Sequence, residues 1–283
     1  MSDRHAARSA LPLRALIPNA ITMLALCSGA TGVRFAIAGE FEKAAAAIVI
    51  AALLDGIDGR VARMLRGTSR FGAELDSLSD VTAFGVAPAL ILYLWAFKPL
   101  ADAGVEHWQE WTRLGWVVCL SLAVCCALRL ARFNIAIDQE ELPKKRLGFT
   151  TGVPAPAGAA LALAPLFWSN APGNSLDGDP MLKAGIVLMV TAITAFLMVS
   201  ALPCWGFKAV KIPRSARLFV LAAVGLFAAA LAQAPWMTLF VLALLYGLSV
   251  PFAVVRYNRL RKAEREMELA SAMQPAEVPS QPG

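Results

Sequence analysis

Four aspartates, Asp55, Asp58, Asp76 and Asp80, stand where apolar runs on either side predict membrane helices. They form the string Asp55-x-x-Asp58-Gly59-x-x-Ala62-Arg63, eight further residues, then Gly72-x-x-x-Asp76-x-x-x-Asp80. An acidic side chain at membrane depth costs roughly 2.5–3.5 kcal/mol, so a cluster of four points to a functional site with a cationic partner. At about 100° per residue, Asp55, Asp58 and Ala62 share one face of a helix and Gly72, Asp76 and Asp80 share one face of the next. A short turn through Gly67 and Thr68 brings the two faces together around one cavity. Unneutralised, the four carboxylates would repel strongly; one or two divalent cations resolve this, and all-oxygen ligation favours Mg²⁺, Mn²⁺ or Ca²⁺ over zinc. Two such ions are the usual device for displacement at phosphorus, where they stabilise both the attacking and the leaving oxygen.

The residues between the aspartates suit a diphosphate ligand. Gly59 and Gly72 let a bulky group approach the backbone, Ala62 does nearly the same, and Arg63 supplies a fork of donors for phosphate.

These residues sit on a framework of membrane helices. The chain has 283 residues, 58% of them hydrophobic and 16% charged, with a mean hydropathy of +0.60. That composition excludes an ordinary soluble domain. Apolar runs of the length needed to span a bilayer predict eight helices, near 17–38, 43–65, 73–97, 113–135, 152–169, 182–202, 216–233 and 235–256. The expected fold class is therefore an all-α integral membrane protein. Its parts are a polar segment over 1–16, a transmembrane catalytic domain over 17–256 and a cytoplasmic tail over 257–283, largely disordered. The first apolar run has no convincing cleavage site and reads as a retained helix.

The net charge of +6 is distributed as topology rather than as a stripe interleaved with aromatics, which argues against nucleic acid. Cations cluster before helix one and after helices two, four, six and eight, whereas the other loops carry Glu40, Glu42, Glu106, Asp177 and Asp179. The positive-inside rule then puts both termini and the aspartates on the cytoplasmic side. Cys27, Cys119, Cys125, Cys126 and Cys204 form no metal-binding pattern and read as small core residues, and His5 and His107 are isolated.

The whole aspartate string, with every spacing intact, resembles the signature of the CDP-alcohol phosphotransferase family. Eight fixed positions on a membrane background make this a specific match. The resemblance implies a six-helix core, here with two helices added, and transfer of a phosphate-bearing group from a CDP-linked donor to an alcohol with release of CMP. Carried over by position, Asp55, Asp58 and Asp76 are metal ligands, for Mg²⁺ or Mn²⁺ in a two-metal site. Asp80 is a ligand or the base that receives the acceptor's proton, and Asp76 and Asp80 are the catalytic pair. Gly59, Ala62, Arg63, Gly72 and Asn19 form the pocket for CDP-diacylglycerol. A homodimer is suggested by the resemblance alone.

The second half bears on the acceptor. Arg129-Leu130-Ala131-Arg132-Phe133-Asn134 closes helix four and is followed by Gly152-Val153-Pro154-Ala155-Pro156-Ala157. This arrangement is similar to the bacterial, membrane-embedded phosphatidylserine synthase branch of the family, located in the inner membrane. L-Serine needs a cation for its carboxylate as well as a base near its hydroxyl. Arg129 and Arg132, three apart on one helical face, suit the first need, and Asn134 suits either end of the amino acid. Alternatives are another acceptor (glycerol 3-phosphate, an inositol phosphate or choline) and, from a different class, an ion-coupled transporter that uses the aspartates as a relay.

Overall fold

The computed structural model describes residues 13–65, 67, 69–138, 149–205 and 217–273. Arg4, His5, Arg8, Arg66, Thr68, the Lys144–Arg146 patch, Lys208, Lys211, Arg214 and the last ten residues fall outside that set.

The described chain is helical apart from one pair of short strands. Its elements are α1 (Leu13–Ile37), α2 (Phe41–Met64), α3 (Arg70–Asp80), α4 (Ala87–Leu92), α5 (Trp108–Asp138), β1 (Phe149–Thr151), α6 (Ala155–Ala162), α7 (Ala164–Asn170), α8 (Pro180–Val199), β2 (Pro203–Trp205), α9 (Arg217–Gln233) and α10 (Pro235–Met273). Two wider π-helical stretches, Val81–Val86 and Tyr93–Phe97, flank α4, so that Arg70–Leu100 runs as one continuous apolar segment.

Five described segments are long and apolar enough to cross a membrane: Leu16–Ile37, Arg70–Leu100, Trp108–Ile135, Pro180–Val199 and Pro235–Glu264. The chain is an integral membrane protein built from helices. Eight spans were expected; the other three runs are shorter or more polar than these five, for identifiable reasons. In α2 the charged Asp55, Asp58, Arg60 and Arg63 occupy the second half. The run over 152–169 breaks at Leu163 into α6 and α7, because Pro165 lacks an N–H and its ring displaces the carbonyl four residues back. The third, α9, is a 17-residue helix.

Two boundaries differ from expectation. Helix one begins at Leu13, so Pro18 lies inside it instead of in its first turn. The last helix continues as helix to Met273, well past residue 257 where the tail was placed.

Small residues let the helices that carry the aspartates approach closely. Gly32 of α1 faces the Ala44 carbonyl and Ala47 of α2, and the Ser28 hydroxyl donates to the Ala47 carbonyl at 2.7 Å. Gly29 sits on Ala83, where a β-carbon would stand 2.8 Å from the Ala83 Cα. On the other side of the same π stretch, Gly85 packs against Cys126 of α5. Phe84, Ile91, Leu92 and Phe97 fill the centre with Leu122 of α5 and Leu163, Leu166 and Phe167. Leu218, Phe219, Leu221 and Leu226 of α9 and Phe252 of α10 point outward, as lipid-facing residues do.

The strands join the chain after α5 to the chain after α8. They pair antiparallel, Phe149 opposite Trp205 and Thr151 opposite Pro203. Gly152 follows with φ +72, where its N–H donates to the Leu202 carbonyl at 2.8 Å. A β-carbon there would stand 2.7 Å from the Met198 carbonyl oxygen, so only glycine passes.

Candidate active site

The second half of α2 and the first turns of α3 deliver the acidic groups. Spacings of three and four residues put Asp55 and Asp58 on one helical face and Asp76 and Asp80 on another. Both helices rest on α1. Carboxylate oxygens of Asp55, Asp76 and Asp80 lie within 4.8 Å of one another. Two like unit charges about 4 Å apart repel by roughly 4 kcal/mol even at an effective dielectric constant of about 20. Three carboxylates at this spacing, partly withdrawn from solvent, therefore fit a divalent cation, which is hard and takes oxygen ligands.

Asp58 stands beside this trio and has its own partner. It is 5% exposed, and the Thr22 hydroxyl of α1 donates to its Oδ2 at 2.6 Å. The Thr22 carbonyl in turn accepts from the hydroxyl of Ser79, the residue before Asp80, at 3.1 Å. One residue of α1 thus holds both aspartate-bearing helices.

A cavity of about 190 Å³ opens next to Asp58 and Asp76. Asn19, Thr22, Gly59, Ala62, Gly67, Ser69, Gly72 and Ala73 complete its wall with Pro18. A side chain on Gly72 would stand 2.8 Å from Asn19 Oδ1, which explains the glycine there. Gly59 has nothing within 4 Å of where its β-carbon would lie, so its bareness leaves open space beside Asp58. Ser69 caps α3 in an extended conformation, its Oγ accepting the Gly72 N–H at 3.0 Å.

Of the expected pocket residues, Asn19, Gly59, Ala62 and Gly72 meet at this cavity. Arg63 does not line it; its Nε donates to the Gly59 carbonyl at 3.0 Å on the exposed side of α2. Arg60, Arg70 and Glu74 are exposed.

The three residues expected to bind the acceptor diverge. Arg129 comes from α5 toward the aspartates, close enough for its charge to act on Asp55 and Asp80, and its buried Nε has no hydrogen-bond partner among the described residues. Arg132 is exposed and donates to the Val199 carbonyl at the end of α8, at 2.8 Å. Asn134 donates through Nδ2 to the hydroxyl of Ser77 at 2.9 Å, between the two aspartates of α3.

Thr22, Ser69, Ser77 and Ser79 were not singled out from the sequence. Ser69 was the most accessible of them, since a serine just before a helix and three residues ahead of an N–H it can accept is an N-cap pattern. Hydroxyls inside apolar helices carry no such mark.

Comparison with known proteins bears on this geometry. The sequence model of the family described as CDP-alcohol phosphatidyltransferase matches residues 15–197, and that of CDP-alcohol phosphatidyltransferase 2 matches residues 215–251. The chain is similar to a protein of Mycobacterium tuberculosis (strain ATCC 25618 / H37Rv) named CDP-diacylglycerol–serine O-phosphatidyltransferase. The two are 39% identical over 246 residues, which is 84% of this chain and 78% of that protein. Proteins of the same name from Mycobacterium leprae (strain TN) and Saccharomyces cerevisiae (strain ATCC 204508 / S288c) are 36% and 33% identical. The first match covers 90% of this chain and 79% of the relative, the second 69% of each.

Proposed function

Since this chain belongs to the CDP-alcohol phosphatidyltransferase family, we propose that it transfers the phosphatidyl group of CDP-diacylglycerol to L-serine, giving phosphatidylserine and CMP. The observation that carries the reading is the convergence of Asp55, Asp76 and Asp80 beside a cavity walled by Asn19, Gly59, Ala62 and Gly72.

The cavity takes the CDP end of the donor, with Gly59 and Gly72 letting the pyrophosphate approach the backbone of α2 and α3. Asp55, Asp76 and Asp80, with Asp58 next to them, would hold the divalent cations, Mg²⁺ or Mn²⁺. When bound, these supply neutralisation of the pyrophosphate and of the charge that develops on departing CMP. Asp80 receives the proton of the serine hydroxyl as its oxygen forms a bond to the phosphorus that carries diacylglycerol. The bond from that phosphorus to the bridging oxygen breaks, and the oxygen leaves on CMP.

Arg129 meets the serine carboxylate, a role supported by its half-buried position near Asp80 and Asp55 and by an Nε that has no acceptor among the described residues. Arg132 and Asn134 flank it at the end of α5. Eight membrane passes, with the site and both termini on the cytoplasmic side of a bacterial inner membrane, agree with the distribution of cations along the chain.

Incubating purified protein with CDP-diacylglycerol, Mn²⁺ or Mg²⁺ and labelled serine tests the reading. Labelled phosphatidylserine and equimolar CMP are expected. CMP release that depends on glycerol 3-phosphate, an inositol phosphate or choline but not on serine would replace the acceptor, and absence of CMP with every alcohol would sink the enzyme.

A further inference from the structure

Ser69 lies in the eight-residue gap between Arg63 and Gly72, outside the positions that carry the family resemblance. Its backbone is extended, φ −137 and ψ 154, and it caps the N-terminus of α3. Two acceptor contacts pin it: its Oγ takes the Gly72 N–H at 3.0 Å, and its carbonyl takes the Ala73 N–H at 3.1 Å. A serine hydroxyl has one proton to give as well as lone pairs to offer. Here a lone pair is spent on the helix, and no described residue accepts the proton.

The same side chain lines the cavity with Asp58, Gly59, Gly72 and Asp76. The bare Gly72 makes room for both Ser69 and Asn19; a β-carbon there would stand 3.2 Å from Ser69 Oγ and 2.8 Å from Asn19 Oδ1. The cavity is bordered by carboxylates, yet at this end it meets the positive pole of α3, where an anion is favoured.

We propose that Ser69 is a donor-binding residue: its hydroxyl gives its proton to an oxygen of the phosphate that stays on the cytidine. The assignment rests on the reading of this cavity as the CDP site. It makes Ser69 a switch point between fold and ligand, because the helix orients the hydroxyl that the phosphate receives.

The test must separate ligand binding from capping. Glycine is nearly as good an N-cap as serine but has no hydroxyl, alanine lacks both properties, and threonine keeps both. CMP binding to the detergent-solubilised full chain, measured by calorimetry in Mn²⁺, is compared for wild type, Ser69→Thr, Ser69→Gly and Ser69→Ala. Loss of one hydrogen bond to a charged oxygen predicts about tenfold weaker CMP binding in both the Gly and Ala variants. The KM for CDP-diacylglycerol should rise in parallel, with the KM for serine unchanged and the Thr variant at wild-type level. Wild-type CMP affinity in Ser69→Gly would overturn the proposal and leave Ser69 a helix cap. Should wild-type protein itself neither bind CMP nor release it from CDP-diacylglycerol, the reading of the cavity fails instead.

Discussion

The Thr22 hydroxyl donates to Asp58 Oδ2 at 2.6 Å, and both groups are buried, at 5% exposure each. A hydrogen bond to a charged group is worth about 1.5–3 kcal/mol, and stripping the donor leaves the acceptor with the full cost of its burial. Thr22→Val keeps the shape and removes the donor. The variant should need about tenfold more Mn²⁺ for half-maximal CMP release and bind Mn²⁺ more weakly in direct titration. Thr22→Ser should restore both. Unchanged Mn²⁺ binding in the valine variant would show that Asp58 needs no help from α1.

Asp76→Asn and Asp80→Asn each remove a charge from the trio whose oxygens lie within 4.8 Å. Each variant should still elute from a sizing column as the folded wild type does while losing CMP formation by about a hundredfold or more. Turnover near wild type in either would refute the corresponding role.

The contrast between Arg129 and Arg132 is testable in one experiment. Arg129→Ala should raise the KM for serine about tenfold or more, the scale of a hydrogen bond to a charged group. Arg132→Ala removes a contact to the Val199 carbonyl, so its larger effect should be on thermal stability. A serine KM that rises more in the Arg132 variant than in the Arg129 variant would reverse the assignment.

Chelation should silence the enzyme without unfolding it. EDTA is expected to abolish CMP release, with Mg²⁺ or Mn²⁺ restoring it, and to leave the helical circular dichroism signal in place. Full activity after exhaustive chelation would remove the metal from the mechanism.

On the opposite side of the molecule the Lys183 ammonium, 2.8 Å from Asp177 Oδ1, holds that carboxyl below its ordinary range. A depressed folded value means the pair stabilises the fold above the unfolded pKa of about 3.9, and that this contribution fades as pH falls through the lower folded value. Asp177 is largely exposed, so the effect should be under about 1 kcal/mol. Asp177→Asn should lower the melting temperature near neutrality and converge with wild type in strong acid. A difference that widens in acid would contradict the ion pair.

Much of this site was readable from residue spacing. Asp55, Asp76 and Asp80 converge because intervals of three and four survive intact on two regular helices, and Gly59, Ala62 and Gly72 follow from the same regularity, whereas Asn19 of α1 came only with the family resemblance. Legibility ends where periodicity does. Past Asp80 the π stretch Val81–Val86 shifts the facing residues, and nothing in Val-Thr-Ala-Phe-Gly-Val announces it. Thr22 was hidden for a different reason: a helical threonine can satisfy itself on the carbonyl four residues back, and its oxygen lies 3.1 Å from that of Pro18. Arg63 looked like a phosphate fork but turns onto its own helix, a choice of rotamer that spacing does not encode. The strand pair escaped notice because three residues are too few to show an alternating pattern.

That strand pair fastens two distant stretches of chain through main-chain amides, which belong to every residue type alike. Homologues should consequently vary more freely at Thr150, whose hydroxyl adds only a long 3.4 Å donation to the Cys204 carbonyl, while Gly152 beside it stays fixed because any replacement would collide with the Met198 carbonyl. Tolerance and intolerance to mutation would then lie two positions apart along the same clasp.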